Sequence, residues 1–189
     1  MNTIAQEISH PDFDLNGFVD TAIQDKQTRD EIIRQMVTNQ DIMVYYHCYY
    51  VIAQASADRP DMFYAYWPEM AALLDHHNSY HRNIGLEVIA NLTRVDEKDL
   101  FSGTFARYFQ RIGDEKLLTC QYCIRGSQKI LKHKPHLKDQ ILPILLDLDN
   151  RTRFEKKKKD YLKGDVLDIL ADNINDEAYR SISIEFILS

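Results

Sequence analysis

Glycine, proline and cysteine are all scarce in this sequence. Its 189 residues include 6 glycines, 5 prolines and 3 cysteines. So few glycines and prolines exclude a collagen-like chain and a chain made mainly of linkers. Three cysteines are an odd number and do not form a disulfide framework, so we expect reduced thiols that are buried as small apolar groups.

Long apolar segments and recognisable catalytic motifs are also missing. The longest apolar run, Ile141 to Leu146, is interrupted by Pro143 and is far too short to cross a membrane. The N-terminal residues contain no basic segment followed by an apolar segment. We therefore expect no secretion signal and a cytoplasmic protein. The absence of a glycine-rich phosphate loop, a nucleophile elbow and a paired-carboxylate motif favours a non-enzymatic protein without a cofactor.

Hydrophobic residues make up 44% of the chain and recur with the spacing of amphipathic helices. After a loose arm over residues 1–11, Asp12 or Asp14 is expected to cap a first helix. Thr28 is expected to cap a second helix, with Glu31 completing a capping box. Further helices are predicted over residues 41–55, 60–75, 79–92, 99–112, 114–132, 137–148, 152–170 and 176–188. The last contains an alternating, strand-like pattern over residues 182–186, where we still favour a helix.

Parts of these helices recur at a fixed distance along the chain. Residues 67–75 match residues 142–147, with Pro68 and Pro143 lying 75 residues apart. A proline inside a helix removes a backbone hydrogen bond, so its recurrence predicts a bend in the first helix of each pair. In the returning helices, the same interval of 39 residues separates Leu92, Leu131 and Leu170.

Helix pairs of about 40 residues, bent in their first helix, resemble HEAT repeats. The resemblance covers residues 26–172 and implies one all-α domain over residues 1–189. Its expected architecture is a right-handed α-α superhelix, a HEAT-like solenoid, of about four helix pairs plus capping helices, with the second helices lining the concave face. Arg82 falls where many such repeats carry a basic residue. Gln121 takes that place in the next repeat, and no proline lies near Phe105.

The net charge of −6 is unevenly distributed along the chain. Residues 1–106 carry 7 basic and 16 acidic side chains, residues 107–163 carry 15 and 7, and residues 164–189 carry 1 and 6. The basic side chains that we predict to bind a partner are Arg125, Arg151, Arg153, Lys156, Lys157, Lys159 and Lys163. They would attract an acidic protein segment or a phosphate backbone, and the alternative interpretation is a solvated helix face.

Aromatic side chains are concentrated in the first half of the chain. Eight of them lie between Tyr45 and Trp67. Aromatic residues with helical spacing usually belong to the core, but four tyrosines within residues 41–55 exceed what one buried stripe can hold. We therefore predict that Tyr46 and Tyr49 contact a partner.

Two groups of histidine and cysteine residues could in principle bind a metal, but we interpret both as having a structural role. His77 and His81 are four residues apart, but His76 and His77 fall in the turn before a helix, which spoils a shared metal-binding face. Cys120 and Cys123 lie within a helix, and the spacing to the histidines that follow does not fit a zinc finger. We predict that both thiols are buried and that the chain holds no metal.

These patterns together favour a protein–protein interaction module, a scaffold or adaptor that binds an acidic segment of a protein partner. Its concave surface would use a basic C-terminal half and an aromatic N-terminal half. The alternative is a nucleic-acid-binding protein similar to the HEAT-like DNA alkylation-repair glycosylases. No catalytic residue can be carried over from those enzymes, since Trp67, the only tryptophan, falls on a first helix rather than on the inner face.

Overall fold

The computed structural model describes residues 3–172 together with Ile184 and Phe186. This part of the chain is helical and contains no strand, which confirms the predicted all-α class. Within it, no helix combines the length and the apolar character needed to cross a membrane. Apart from Ile184 and Phe186, the predictions for residues 176–188 and 182–186 concern positions outside the described residues.

The α-helices of the described chain are α1 (Ile4–Ile8), α2 (Leu15–Gln24), α3 (Lys26–Thr38), α4 (Ile42–Asp58), α5 (Pro60–Phe63), α6 (Trp67–Leu73), α7 (Ser79–Leu92), α8 (Leu100–Gln110), α9 (Leu117–His133), α10 (Lys138–Leu146), α11 (Leu148–Arg151) and α12 (Lys156–Ala171). Short 3-10 helices follow four of them, at Tyr64–Tyr66, Thr93–Val95, Arg111–Gly113 and Pro135–Leu137. Helices therefore occupy every segment predicted between residues 41 and 170.

The N-terminal residues differ from the loose arm predicted over residues 1–11. Thr3 and Gln6 form a reciprocal capping box at the start of α1. Ile8 at the end of α1 has no exposed surface and belongs to the core. Ile4 and Ala5 also pack against the core, and these tertiary contacts hold the short helix against the domain.

The caps of the next two helices are set by aspartates. Asp14 caps α2 as expected, because its side chain accepts a hydrogen bond from the Gly17 amide. The cap predicted at Thr28 is wrong, since α3 begins at Lys26 and the Asp25 side chain accepts from the Thr28 amide. Glu31 consequently pairs with Arg34 rather than closing a capping box.

Four helices pack side by side through the middle of the fold. α4 packs against α7, α7 against α9, and α9 against α12. Each corresponds to the second helix of a pair predicted from the sequence, and α3 packs against α4 and α6 against α7. Within α7, every residue from His81 to Leu92 except Glu87 is buried. We call α4, α7, α9 and α12 the second-helix row.

The connection between one helix pair and the next has the same backbone geometry at two places. Arg59 before Pro60 has φ −129° and ψ 68°, and Lys134 before Pro135 has φ −130° and ψ 63°. The two internal prolines are less alike than their spacing predicts. Pro68 lies in the first turn of α6, after the 3-10 segment where the helix is broken, whereas the equivalent proline of α10 lies in the helix interior.

Candidate interaction surface

Large apolar side chains are exposed on the second-helix row and not on the first helices of the pairs. In the described part of the chain, the exposed large hydrophobic side chains are Ile42, Met43 and Tyr50 of α4, Tyr80 of α7, Leu118 of α9, Tyr161 of α12, and Ile184. All but Ile184 belong to the row. Exposed apolar groups that gather on one face of a protein commonly mark an interaction site.

Tyrosines from three helices of the row form one cluster. The ring of Tyr46 meets the edge of Tyr50 at a centroid distance of 4.8 Å and that of Tyr80 at 5.6 Å. The hydroxyl oxygens of Tyr49 and Tyr122 are 3.0 Å apart, although α7 packs between α4 and α9. Burial raises the pKa of Tyr46 and of Tyr49 far above 10, so both hydroxyls stay protonated.

The predicted contact residues Tyr46 and Tyr49 differ in exposure. Tyr49 is buried and Tyr46 is half-buried, so the exposed rings of this cluster are Tyr50 and Tyr80. Neither ring was among the contact residues predicted from the sequence. The residues buried in α4 include Tyr45, Cys48 and Tyr49, and Tyr50 follows immediately on the face that they leave to solvent.

Ion pairs connect the remaining part of the row. Arg125 of α9, one of the predicted contact residues, lies 2.9 Å from an oxygen of Asp165 in α12. Lys129 of α9 donates to Glu87 of α7 at 2.5 Å and to the Asn91 side chain at 2.8 Å. These two cations therefore join neighbouring helices of the row, and each faces a carboxylate.

A groove of about 600 Å³ opens between the beginning of α9 and the beginning of α12. Leu118 and Tyr161 supply exposed apolar surface to it. The Gln121 amide donates to the Tyr161 hydroxyl oxygen at 2.8 Å and to Asp165 at 2.8 Å, which holds the Tyr161 side chain in place. The residues that line the groove are Leu117, Leu118, Gln121, Glu155, Lys157, Lys158 and Tyr161.

The lysines at the start of α12 point to two different sides of the helix. Lys157 and Lys158 border the groove beside α9. Lys156, Lys159 and Lys163 face α11. Lys159 donates to the Asp149 carbonyl at 2.6 Å, and Lys163 lies 2.8 Å from the Asp149 carboxylate. A smaller cavity of about 250 Å³ on that side is lined by Asp149, Phe154, Lys156, Lys159, Asp160 and Lys163.

The predicted basic contact residues are therefore dispersed. Arg151 pairs with Asp147 at 3.0 Å within the α10–α11 region, and Arg153 is exposed in the extended segment before α12. The structure does not bring them together with Arg125 or with Lys157. Arg125, Arg151 and Arg153 lie on other segments than α12, and consecutive lysines on a helix point in directions about 100° apart, so α12 presents its own lysines on two sides.

The histidine and cysteine groups occupy structural positions, and no described residues form a cluster that could hold a metal ion. The His76 ring stacks on His81 at 4.2 Å, and burial lowers the pKa of His81 to about 4. Cys120 and Cys123 are buried free thiols, as predicted. Burial raises the pKa of Cys120 to about 12, so a reactive thiolate is not formed there.

The chain was compared with protein-family models, with curated proteins and with solved structures, and none of them matches it.

Proposed function

We propose that this protein is a non-enzymatic binding module that holds a segment of a partner protein on its second-helix row. The observation that carries the proposal is the distribution of exposed apolar side chains. Tyr50, Tyr80, Leu118 and Tyr161 come from four different helices, and all four helices belong to one row. A surface that only had to be solvated would not concentrate its exposed apolar groups in this way.

The row would be the concave face of a HEAT-like, right-handed superhelix. The contact between Tyr49 and Tyr122 supports this curvature, because their hydroxyl groups meet across the intervening helix α7. Side chains two helices apart come together when a row of helices curves inward on that side. Stacked helix pairs commonly present such a concave surface to their ligands.

A protein partner is favoured over a nucleic acid by the charges on the row. Arg125 and Lys129 are each paired with a carboxylate of the protein, so the row lacks the continuous run of unpaired cations that would follow a phosphate backbone. The buried free thiols at Cys48 and Cys120 support a reducing, cytoplasmic location.

Selection from a library of displayed random peptides tests this function. We expect peptides that bind the full chain and lose at least about tenfold in affinity on a row variant carrying Tyr50→Ser, Tyr80→Ser, Leu118→Ser and Tyr161→Ser. The matched control replaces exposed residues of the first helices, Glu69→Ser, Gln110→Ser and Gln140→Ser, and should bind as the unmodified chain does.

Two results would overturn the proposal. One is a selection that enriches no binder. The other is a set of binders that lose as much affinity on the first-helix variant as on the row variant. Circular dichroism of both variants checks that each retains its helices.

A further inference from the structure

The groove between α9 and α12 combines an apolar floor with a basic border. Leu118 is 44% exposed and Tyr161 is 55% exposed, and Leu117 beside them is half-buried. Water in contact with these side chains would be released by an apolar group of suitable size. The groove can therefore take one or two apolar side chains of a ligand.

The border of this groove carries more positive than negative charge. Lys157 and Lys158 are exposed on it, and Glu155 is the one carboxylate among its lining residues. The ammonium nitrogen of Lys158 lies 3.5 Å from Glu155, so much of the charge of that carboxylate is balanced within the protein. Lys157 remains to attract an anionic group on a ligand.

The Tyr161 hydroxyl adds a directional contact. Its oxygen accepts from the Gln121 amide, so the hydroxyl keeps its own proton as a donor. A ligand carboxylate or carbonyl that reached this point would accept that proton while an adjacent apolar side chain covered Leu118.

We propose that the groove binds a short acidic segment of another protein, in which an apolar side chain is flanked by aspartate or glutamate. This inference rests on the proposed function and assigns it a site and a ligand chemistry. The apolar side chain would cover the Leu117–Leu118 floor, and the flanking carboxylates would meet Lys157 and Tyr161. A phosphate backbone has no apolar side chain to cover that floor, so the observations favour a peptide over a nucleic acid.

The test compares selections on two forms of the full chain. Random peptides of about 12 residues, long enough to span the groove with both flanks, are selected on the unmodified chain and on a groove variant, Leu118→Ser with Tyr161→Ser. Peptides enriched only on the unmodified chain are then synthesised, and their affinities are measured by fluorescence anisotropy. We expect these groove-dependent peptides to be net acidic and to contain Leu, Ile or Phe.

Two charge reversals on the same helix provide the matched control. Lys157→Glu should weaken the groove-dependent peptides by about tenfold. Lys156→Glu changes the net charge by the same amount but lies on the α11 side, and should weaken them by no more than about threefold. Equal effects of the two reversals, or groove-dependent peptides that are basic or uncharged, would overturn the proposal.

The remaining outcomes separate this proposal from the broader function. Binders that need Tyr50 and Tyr80 but tolerate the groove variant would leave the binding module standing and overturn the groove assignment. A selection without any binder would overturn both. Light scattering measures whether a second copy of the chain occupies the groove. An unmodified chain that is dimeric, together with a groove variant that is monomeric, would show that it does and would also overturn the proposal.

Discussion

A glycine allows two helices of the second-helix row to come close together. A β-carbon added at Gly126 of α9 would overlap the hydroxyl oxygen of Tyr108 and would lie 3.3 Å from the β-carbon of Ala90 in α7. Tyr108 is fully buried, and its hydroxyl donates to the Leu86 carbonyl at 3.2 Å. The tyrosine has little room to move, so the small residue is required by packing rather than by backbone conformation.

Replacement of this glycine should therefore destabilise the protein. We expect Gly126→Ala to lower the free energy of unfolding by about 1–3 kcal/mol, since the added methyl group overpacks a filled site. Gly164→Ala in α12 is the matched control: no atom lies within 4 Å of the added carbon, and the better helix former should raise stability by up to about 1 kcal/mol. Urea unfolding followed by circular dichroism measures both changes. Equal effects of the two substitutions would contradict this account.

At the scale of elements, buried polar side chains join each helix pair to the next. Arg82 of α7 holds both carboxylate oxygens of Asp114 at 2.8 Å, just before α9 begins, and also donates to the carbonyls of His76 and His77. One side chain thus ties the turn before α7 to the turn between α8 and α9 in the following pair. Gln121, 39 residues later, makes the equivalent connection from α9 to α12 with a neutral amide.

These equivalent positions should differ in what they contribute to stability. We expect Arg82→Ala to lower the free energy of unfolding by about 3–5 kcal/mol, because it leaves the buried Asp114 carboxylate with the Lys116 amide and, as its remaining cation, the more distant Arg111. Gln121→Ala removes the hydrogen bonds of a neutral amide to Tyr161 and Asp165, which both keep some contact with water, and should lower it by about 1–2 kcal/mol. Chemical denaturation of both variants at one pH makes the comparison. Losses of equal size would show that the buried ion pair contributes no more to stability than the neutral amide does.

The start of α7 should also make the protein sensitive to acid. Burial lowers the pKa of His81 from its ordinary 6.5 to about 4. Since the unfolded chain then takes up this proton at a higher pH than the folded chain, the contribution of His81 is complete above pH 6.5 and is lost as the pH falls toward 4. We expect this group to remove up to about 3 kcal/mol of stability across that interval.

Replacing the imidazole separates this effect from other acid-sensitive groups. The difference in unfolding free energy between pH 7 and pH 4.5 should be smaller in His81→Phe than in the unmodified chain, by about 2 kcal/mol. Gln140→Ala, at an exposed position, removes no titratable group and should leave that difference unchanged. An equal pH dependence in the His81 variant and the unmodified chain would rule out the buried imidazole as its cause.

The helices could be predicted from the sequence because their apolar residues follow a 3.6-residue period, but several ends could not. Thr28 and Glu31 have the spacing of a capping box, yet Asp25 begins α3 one turn earlier because α2 ends immediately before it. The break before α6 lies in the 3-10 segment Tyr64–Tyr66 rather than at Pro68. Both differences arise from the connections between helices, where neighbouring elements rather than residue preferences determine the geometry.

At the scale of the whole molecule, the predicted contact surface depended on how helices assemble. The basic composition of residues 107–163 is visible in the sequence, but the side of α12 on which each lysine lies depends on α9 and α11. Lys157 therefore faces the groove and Lys159 faces Asp149. In the same way, Tyr50 and Tyr80 belong to one surface only because α4 packs against α7. The composition of the sequence predicts that a partner binds, but the residues that form the binding surface could be identified only from the tertiary contacts.

The arrangement of helix pairs in a row predicts an uneven distribution of local stability. α7 has a helix of the row on each side, whereas α2 lies at one end of the packing order and buries only Val19 and Ala22. In a fold whose units contact mainly their neighbours, end units open more readily than central ones. We expect backbone amides of α7 to exchange at least about tenfold more slowly than those of α2 after correction for intrinsic rates.

Hydrogen exchange followed by mass spectrometry measures this difference, with the urea-unfolded chain supplying the intrinsic rates. Adding Gly126→Ala sharpens the test, because that substitution loosens the contact between α7 and α9. It should speed exchange in both of those helices while leaving α2 nearly unchanged, since α2 packs against α3 and α4 instead. Equal exchange in α2 and α7, or the same acceleration in all three helices, would show that the row unfolds as a single cooperative unit.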